Sequence, residues 1–218
     1  MPMLDFQTVL ESLPLLVQAA QMTVFVSAVG LLIGFVIAIS IASACLSRVP
    51  VVRRLGEFYV FFFRGVPLLV QLMLAYYFLP TLGINVPPLV AAITAISLCE
   101  GAYLGEILRG GFMGIPKGQL EATQLLGFSR FDTLVRIEIP QALKLTTPSL
   151  ISEMILLVKA SSLISVVGVA EITRTAQNIV ATTFLPLEIY LAAGFMYFLI
   201  NGALSLAGHF VERRFGRS

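Results

Sequence analysis

Residues 15–46 read LLVQAAQMTVFVSAVGLLIGFVIAISIASACL, and from Leu15 to Leu46 there is no Asp, Glu, Lys or Arg. A helix crosses the hydrocarbon core of a bilayer with about 20 apolar residues, so this run is long enough to span. Gly65 to Cys99 is free of the same four residue types. Over all 218 residues, 58% are hydrophobic and 12% charged, where a soluble globular chain has roughly 45–50% and about 25%. Within the opening run, Gly30, Gly34, Ala38 and Ala42 recur every four residues, which puts small side chains on one helix face where a second backbone can approach closely.

Working outward, the hydropathy predicts an all-α membrane protein with five spans in a single transmembrane domain over 1–218. The spans lie at about 15–46, 57–79, 89–108, 145–167 and 187–210, with a long polar loop at about 109–144. Pro80 and the Pro87-Pro88 pair bracket a short turn, and Pro148 falls in the first turns of the fourth span. The N-terminus, Met1 to Phe6, has no basic segment of the kind that opens a signal peptide, so the first span is expected to be retained. Cys45 and Cys99 read as buried thiols and His209 as an interfacial side chain. No His/Cys grouping has metal-site spacing, and no basic run or motif points to nucleic acid.

Cationic residues orient the chain, because cytoplasmic loops collect Lys and Arg. Arg48, Arg53 and Arg54 follow the first span. Arg109, Lys117, Arg130, Arg136 and Lys144 lie in the long loop, and Arg213, Arg214 and Arg217 in the tail. Those are all but three of the 14 cationic residues. The expected topology is N-terminus outside and C-terminus in the cytoplasm. Of the remaining three, Arg174 follows the fourth span, while Arg64 and Lys159 fall within spans.

The long loop carries the most specific pattern. Gly118-Gln119-Leu120-Glu121-Ala122-Thr123-Gln124-Leu125-Leu126-Gly127 predicts a short helix ended by a left-handed Gly127. Ser129 with Asp132 predicts the N-cap of a second helix, which Pro140 is expected to close. Glu121-Ala122-Thr123, then Gly127, then Ile137-Glu138-Ile139-Pro140 resembles the EAA loop of bacterial ATP-binding-cassette (ABC) import permeases, with Thr123 and Ile139 departing mildly from it. Arg64-Gly65-Val66-Pro67-Leu68-Leu69-Val70-Gln71, Ala102-Tyr103 with Glu106 and Arg109-Gly110, Pro116-Lys117-Gly118-Gln119, and Leu157-Val158-Lys159-Ala160-Ser161-Ser162-Leu163 resemble motifs of the polar amino acid uptake subfamily.

That resemblance implies a type I importer architecture in the bacterial inner membrane. It implies a second permease subunit, identical or different, and an external or periplasmic amino-acid-binding protein. Two ATPase subunits would bind ATP and Mg. Gly118, Glu121, Ala122, Thr123, Gly127 and Arg130 would couple to those ATPases. The sequence contains no Gly-x-x-x-x-Gly-Lys-Ser/Thr phosphate loop, so ATP hydrolysis by that route needs a partner, and no catalytic residue or resident cofactor is expected. The expected cargo is a polar or charged amino acid or a close derivative such as an opine, with another small polar solute as the alternative. A self-sufficient secondary transporter is the alternative class, but such proteins show internal repeats and no span pattern recurs here.

Ionisable groups within spans are costly and point to function. Arg64, Glu100, Glu153 and Lys159, with Ser161 and Ser162, are the candidate pathway residues. For Glu153 the competing role is a permanent ion pair with Lys159 or Arg64. Glu106 and Arg109, three apart near a span end, predict an intrahelical pair.

Overall fold

The computed structural model describes residues 6–216. Met1–Asp5, which include the expected external terminus, and Arg217 and Ser218 lie outside the described residues, as do the side chains of Phe6 and of 214–216. The chain is all-helical among the described residues. Helix α1 runs Phe6–Cys45, α2 Pro50–Gly65 and α3 Leu68–Thr81. Then come α4, Pro88–Met113; α5, Lys117–Leu125; and α6, Arg130–Val167. Last are α7, Ile172–Thr183, and α8, Pro186–Gly216. Four of these (α1, α4, α6 and α8) are long and apolar enough to cross a membrane.

The continuous second span expected at 57–79 is not observed. The chain there bends by 99° between α2 and α3, and among the described residues it is this bent pair that brings the number of candidate spans from four to five. Pro67 is the reason. Its ring drives the preceding residue out of the α region, and Val66 is extended at φ −95°, ψ 130°. The Gln71 side chain then holds the break, its Nε2 donating to the carbonyls of Phe63 and Val66, each at 2.8 Å.

Pro140 does not close the second loop helix as expected. A π-turn at Leu134–Glu138 precedes it, and α6 continues through it. A π-turn shifts the hydrogen-bond ladder by one residue just where proline lacks an N–H and crowds the preceding turn. The same solution recurs at Leu74–Phe78, ahead of Pro80. The fourth span is therefore the far end of a helix that begins in the loop, and its last turns, Ser161–Val167, tighten to 3₁₀. Helix α7 was not anticipated.

The core lies along the α1–α4 contact. A Cβ on Gly30 would sit 2.5 Å from Ile96 Cγ2, and one on Gly34 would sit 2.7 Å from Glu100 Cβ. Ala38 and Ala42 are buried in the same seam with Leu104 and Leu108. The small-residue face of the first span is thus a helix-packing face. At the opposite end of α1, Leu16 and Ala19 pack with Ile172, Ala176 and Ile179 of α7 and Ile189 and Ala193 of α8.

Candidate translocation cluster and coupling loop

Three of the expected pathway residues converge. Arg64, in the last turn of α2, lies over the Tyr103 ring of α4 with its guanidinium carbon 5.3 Å from the centroid. Glu153 of α6 lies within electrostatic range of Arg64 and of Glu100 on α4. Glu100 is only 5% exposed, and its Oε2 has no hydrogen-bond partner. Two carboxylates, one guanidinium and one aromatic face from three helices are therefore gathered within the spans. Glu153 is only partly buried and forms no ion pair with Arg64 or Lys159 among the described residues.

Lys159 and the two serines stand apart from this cluster. The Lys159 side chain is exposed. Ser161 is fully buried and donates to the Val158 carbonyl at 2.8 Å. Ser162 donates to the Lys159 carbonyl at 2.7 Å. Both hydroxyls are spent on the α-to-3₁₀ transition at the end of α6. Glu106 and Arg109 do pair within α4, Arg109 Nε donating to Glu106 Oε2 at 2.9 Å.

The loop is a closed two-helix unit. Gly127 adopts φ +78°; its N–H donates to the Gln124 carbonyl and that of Phe128 to the Thr123 carbonyl, both at 3.0 Å. This is the double hydrogen bond of a Schellman terminus, which favours glycine at the left-handed position. Ser129 Oγ then accepts from the Asp132 N–H at 3.1 Å, as an N-cap does. Thr123 is buried, and Thr133 Oγ1 lies 3.2 Å from its hydroxyl, tying the end of α5 to the start of α6. Arg130 forms a two-pronged ion pair with Glu138. Glu138 is buried and Arg130 mostly exposed, so the arginine covers the π-turn of its own helix. Gly118, Glu121 and Ala122 remain exposed. Beside them Leu125 is 90% and Phe131 73% exposed, with Leu126 also bare. That apolar patch on a polar loop is what a partner surface would cover.

The sequence reading missed two groups. One is the pairing of Glu138, which the motif names, with Arg130 eight residues earlier. The other is a polar knot around Glu171, which is fully buried. Glu171 caps α7 by accepting from the N–H groups of Thr173 and Arg174 at 2.9 and 2.7 Å. Tyr197 Oη of α8 donates to it at 2.7 Å, and Thr23 of α1 accepts from the Ile172 N–H at 3.3 Å. Burial pushes the Glu171 carboxyl above its usual range, and these donors pull it part of the way back. A Glu followed by a short amphipathic stretch was the available signal. Among the described residues no group of His, Cys, Asp and Glu is placed to hold a metal ion.

Residues 30–217 match the family model described as binding-protein-dependent transport system inner membrane component. The L-cystine transport system permease protein TcyB of Bacillus subtilis (strain 168) is 38% identical over 205 residues, covering 94% of this chain and 88% of that protein. The glutamine transport system permease protein GlnP of Escherichia coli (strain K12) is 35% identical over 212 residues, covering 96% and 97%. The crystal structure of an amino acid ABC transporter with histidines superposes with a TM-score of 0.92 at 32% identity, over 97% of this chain and 99% of that one. With its bent second span, its closed polar loop and these likenesses over nearly its whole length, the chain belongs to the family of inner-membrane permease components of binding-protein-dependent transport systems.

Proposed function

We propose that the chain, paired with a second permease subunit, forms the pathway by which polar or charged amino acids, or close derivatives such as opines, are imported at the expense of ATP. The observation that carries this reading is the intramembrane gathering of Arg64, Tyr103, Glu100 and Glu153. A zwitterionic solute complements it, with its ammonium at Glu153 and its carboxylate at Arg64. Charged groups of both signs within a bilayer face water or one another, and here the two signs are close without forming an ion pair. The relatives named for cystine and glutamine support an amino acid as the cargo.

The exposed Leu125–Leu126 and Phe131 patch, with Glu121 and Ala122 beside it, is the proposed seat of an ATPase subunit. Two such subunits would hold ATP and Mg, and an external binding protein would deliver the amino acid to the other end. The clustering of Lys and Arg at the loop end and in the tail supports a cytoplasmic loop and C-terminus and an external N-terminus.

The test is reconstitution of the complex in proteoliposomes. Uptake should require the separate ATPase and ATP; uptake by the permease alone would overturn the reading. Glu153→Gln keeps volume and hydrogen bonding but removes the charge. Because Glu153 has no ion-pair partner among the described residues to strand, the variant complex should assemble and retain basal ATP hydrolysis, while uptake at sub-saturating substrate falls about tenfold or more, the loss expected of one charged contact worth more than about 1.4 kcal/mol. Unchanged uptake would remove Glu153 from the pathway.

A further inference from the structure

Toward the loop end of the bundle, a cavity of about 320 Å³ opens between the end of α1, helix α2 and α4, lined by Cys45, Glu57, Val60, Phe61, Arg64, Glu106 and Arg109. Its volume is that of a small-ligand site, which begins near 300 Å³. Its charges are of both signs and differ in how firmly they are engaged. Glu106 and Arg109 are bound to each other by two hydrogen bonds and form a neutral floor. Among the described residues the ion pair of Glu57 is with Arg53, at 3.7 Å, with both side chains at least half exposed; such a surface pair contributes little. Among the described residues Arg64 forms no ion pair, and its guanidinium lies over the Tyr103 ring. One weakly held carboxylate and one guanidinium without an ion pair among the described residues therefore face a single polar cavity.

Arg64 belongs to both places. It lines this cavity, and it is also the cation that acts on Glu153. Glu106 lies on α4 below Glu100, further toward the loop by ~9 Å at 1.5 Å per residue. The guanidinium thus stands between two levels of carboxylate along the bundle axis.

We infer that this cavity is a second, inner station for the transported solute, binding an ammonium at Glu57 and an anionic group at Arg64 over the Glu106–Arg109 floor. Arg64 passes the substrate carboxylate from the Glu153 level to this one. The inference rests on the amino-acid import reading above. The same ammonium-and-anion chemistry is offered by an ethanolamine phospholipid headgroup, so the experiment separates the two sources.

The complex with its ATPase and binding protein is reconstituted in two membranes, one containing phosphatidylethanolamine and one in which phosphatidylcholine replaces it. The amino acid that the wild type imports fastest among glutamine, cystine and arginine serves as the probe. Glu57→Gln is expected to lower maximal uptake at least fivefold in both membranes. The half-saturating external concentration should stay within twofold, because the outer level is intact. Glu57→Asp, which restores the charge, should recover most of the rate and shows that the loss is not misfolding. Wild-type uptake by Glu57→Gln overturns the inner station, and a loss confined to the ethanolamine membrane assigns the cavity to lipid instead. Glu153→Gln, run in parallel, reports on the import pathway separately, since it removes the outer level and leaves this cavity's lining unchanged.

Discussion

At the scale of single residues, Gly127 and Arg130 do different work in one loop. Gly127 sits at φ +78° with open space where a Cβ would point. The penalty for a side chain there is therefore the backbone's own, about 1–2 kcal/mol for an ordinary L-residue, with Asn among the better tolerated and a β-branched residue a clear outlier. Gly127→Val should insert in the membrane at normal levels yet lose most ATP-driven uptake, while Gly127→Asn keeps most of it. Equal uptake by the two variants, measured in the same vesicles, would detach the left-handed turn from coupling. Arg130 is a different case. Its partner Glu138 is buried, so Arg130→Ala strands a carboxylate, at about 1–3 kcal/mol for a buried polar group left unsatisfied. Arg130→Ala should lower the thermal midpoint of the purified complex, and Arg130→Lys should recover part of it. An unshifted midpoint would make the arginine free to act on a partner.

At the scale of elements, the seam between α1 and α4 sets how closely the first and third spans approach. Gly34 meets Glu100 Cβ and the Ser97 carbonyl oxygen, the latter 3.3 Å from where its Cβ would lie. Backbone cannot step aside as a flexible side chain does, and overpacking of this kind costs about 1–3 kcal/mol. Gly34→Val should reduce the monodisperse fraction recovered in detergent. Gly202 of α8 has nothing within 4 Å of its Cβ position, so Gly202→Ala should leave that fraction unchanged. Chromatographic profiles of the two variants beside the wild type decide the matter. The two π-turns show the same economy of local fit: each admits a proline into a continuing helix, and the one ahead of Pro140 lets α6 run on from the loop to Val167.

At the scale of the whole molecule, the loop unit and the short turn near Gly83 lie at opposite ends of α4. Both native cysteines are buried, so single cysteines can be introduced without first removing them. With an impermeant thiol reagent on intact cells, Ile84→Cys in the exposed turn should be labelled and Gln119→Cys in α5 should not. After permeabilisation both should react. The reverse pattern on intact cells would invert the proposed topology.

The run from Leu15 to Leu46 was enough to place the chain in a bilayer, because the cost of burying charge in hydrocarbon is severe and read directly from composition. Gly30, Gly34, Ala38 and Ala42 announced a packing face for the same kind of reason, and Gly127 with Ser129 announced a turn, since both depend on local geometry alone. What lay beyond the sequence depended on neighbours far along the chain. Pro67 falls inside the span expected at 57–79, and the 99° bend found there is kept by Gln71 and by packing against α4. Pro140 looked like a terminus because the π-turn that absorbs it has no sequence period of its own. Glu153 and Lys159 are near in sequence yet form no ion pair among the described residues, whereas Arg64, Glu100 and Glu153 lie within electrostatic range although they come from three helices. Spacing along one helix fixes only direction about its axis; which charges lie near one another was decided by how α2, α4 and α6 pack.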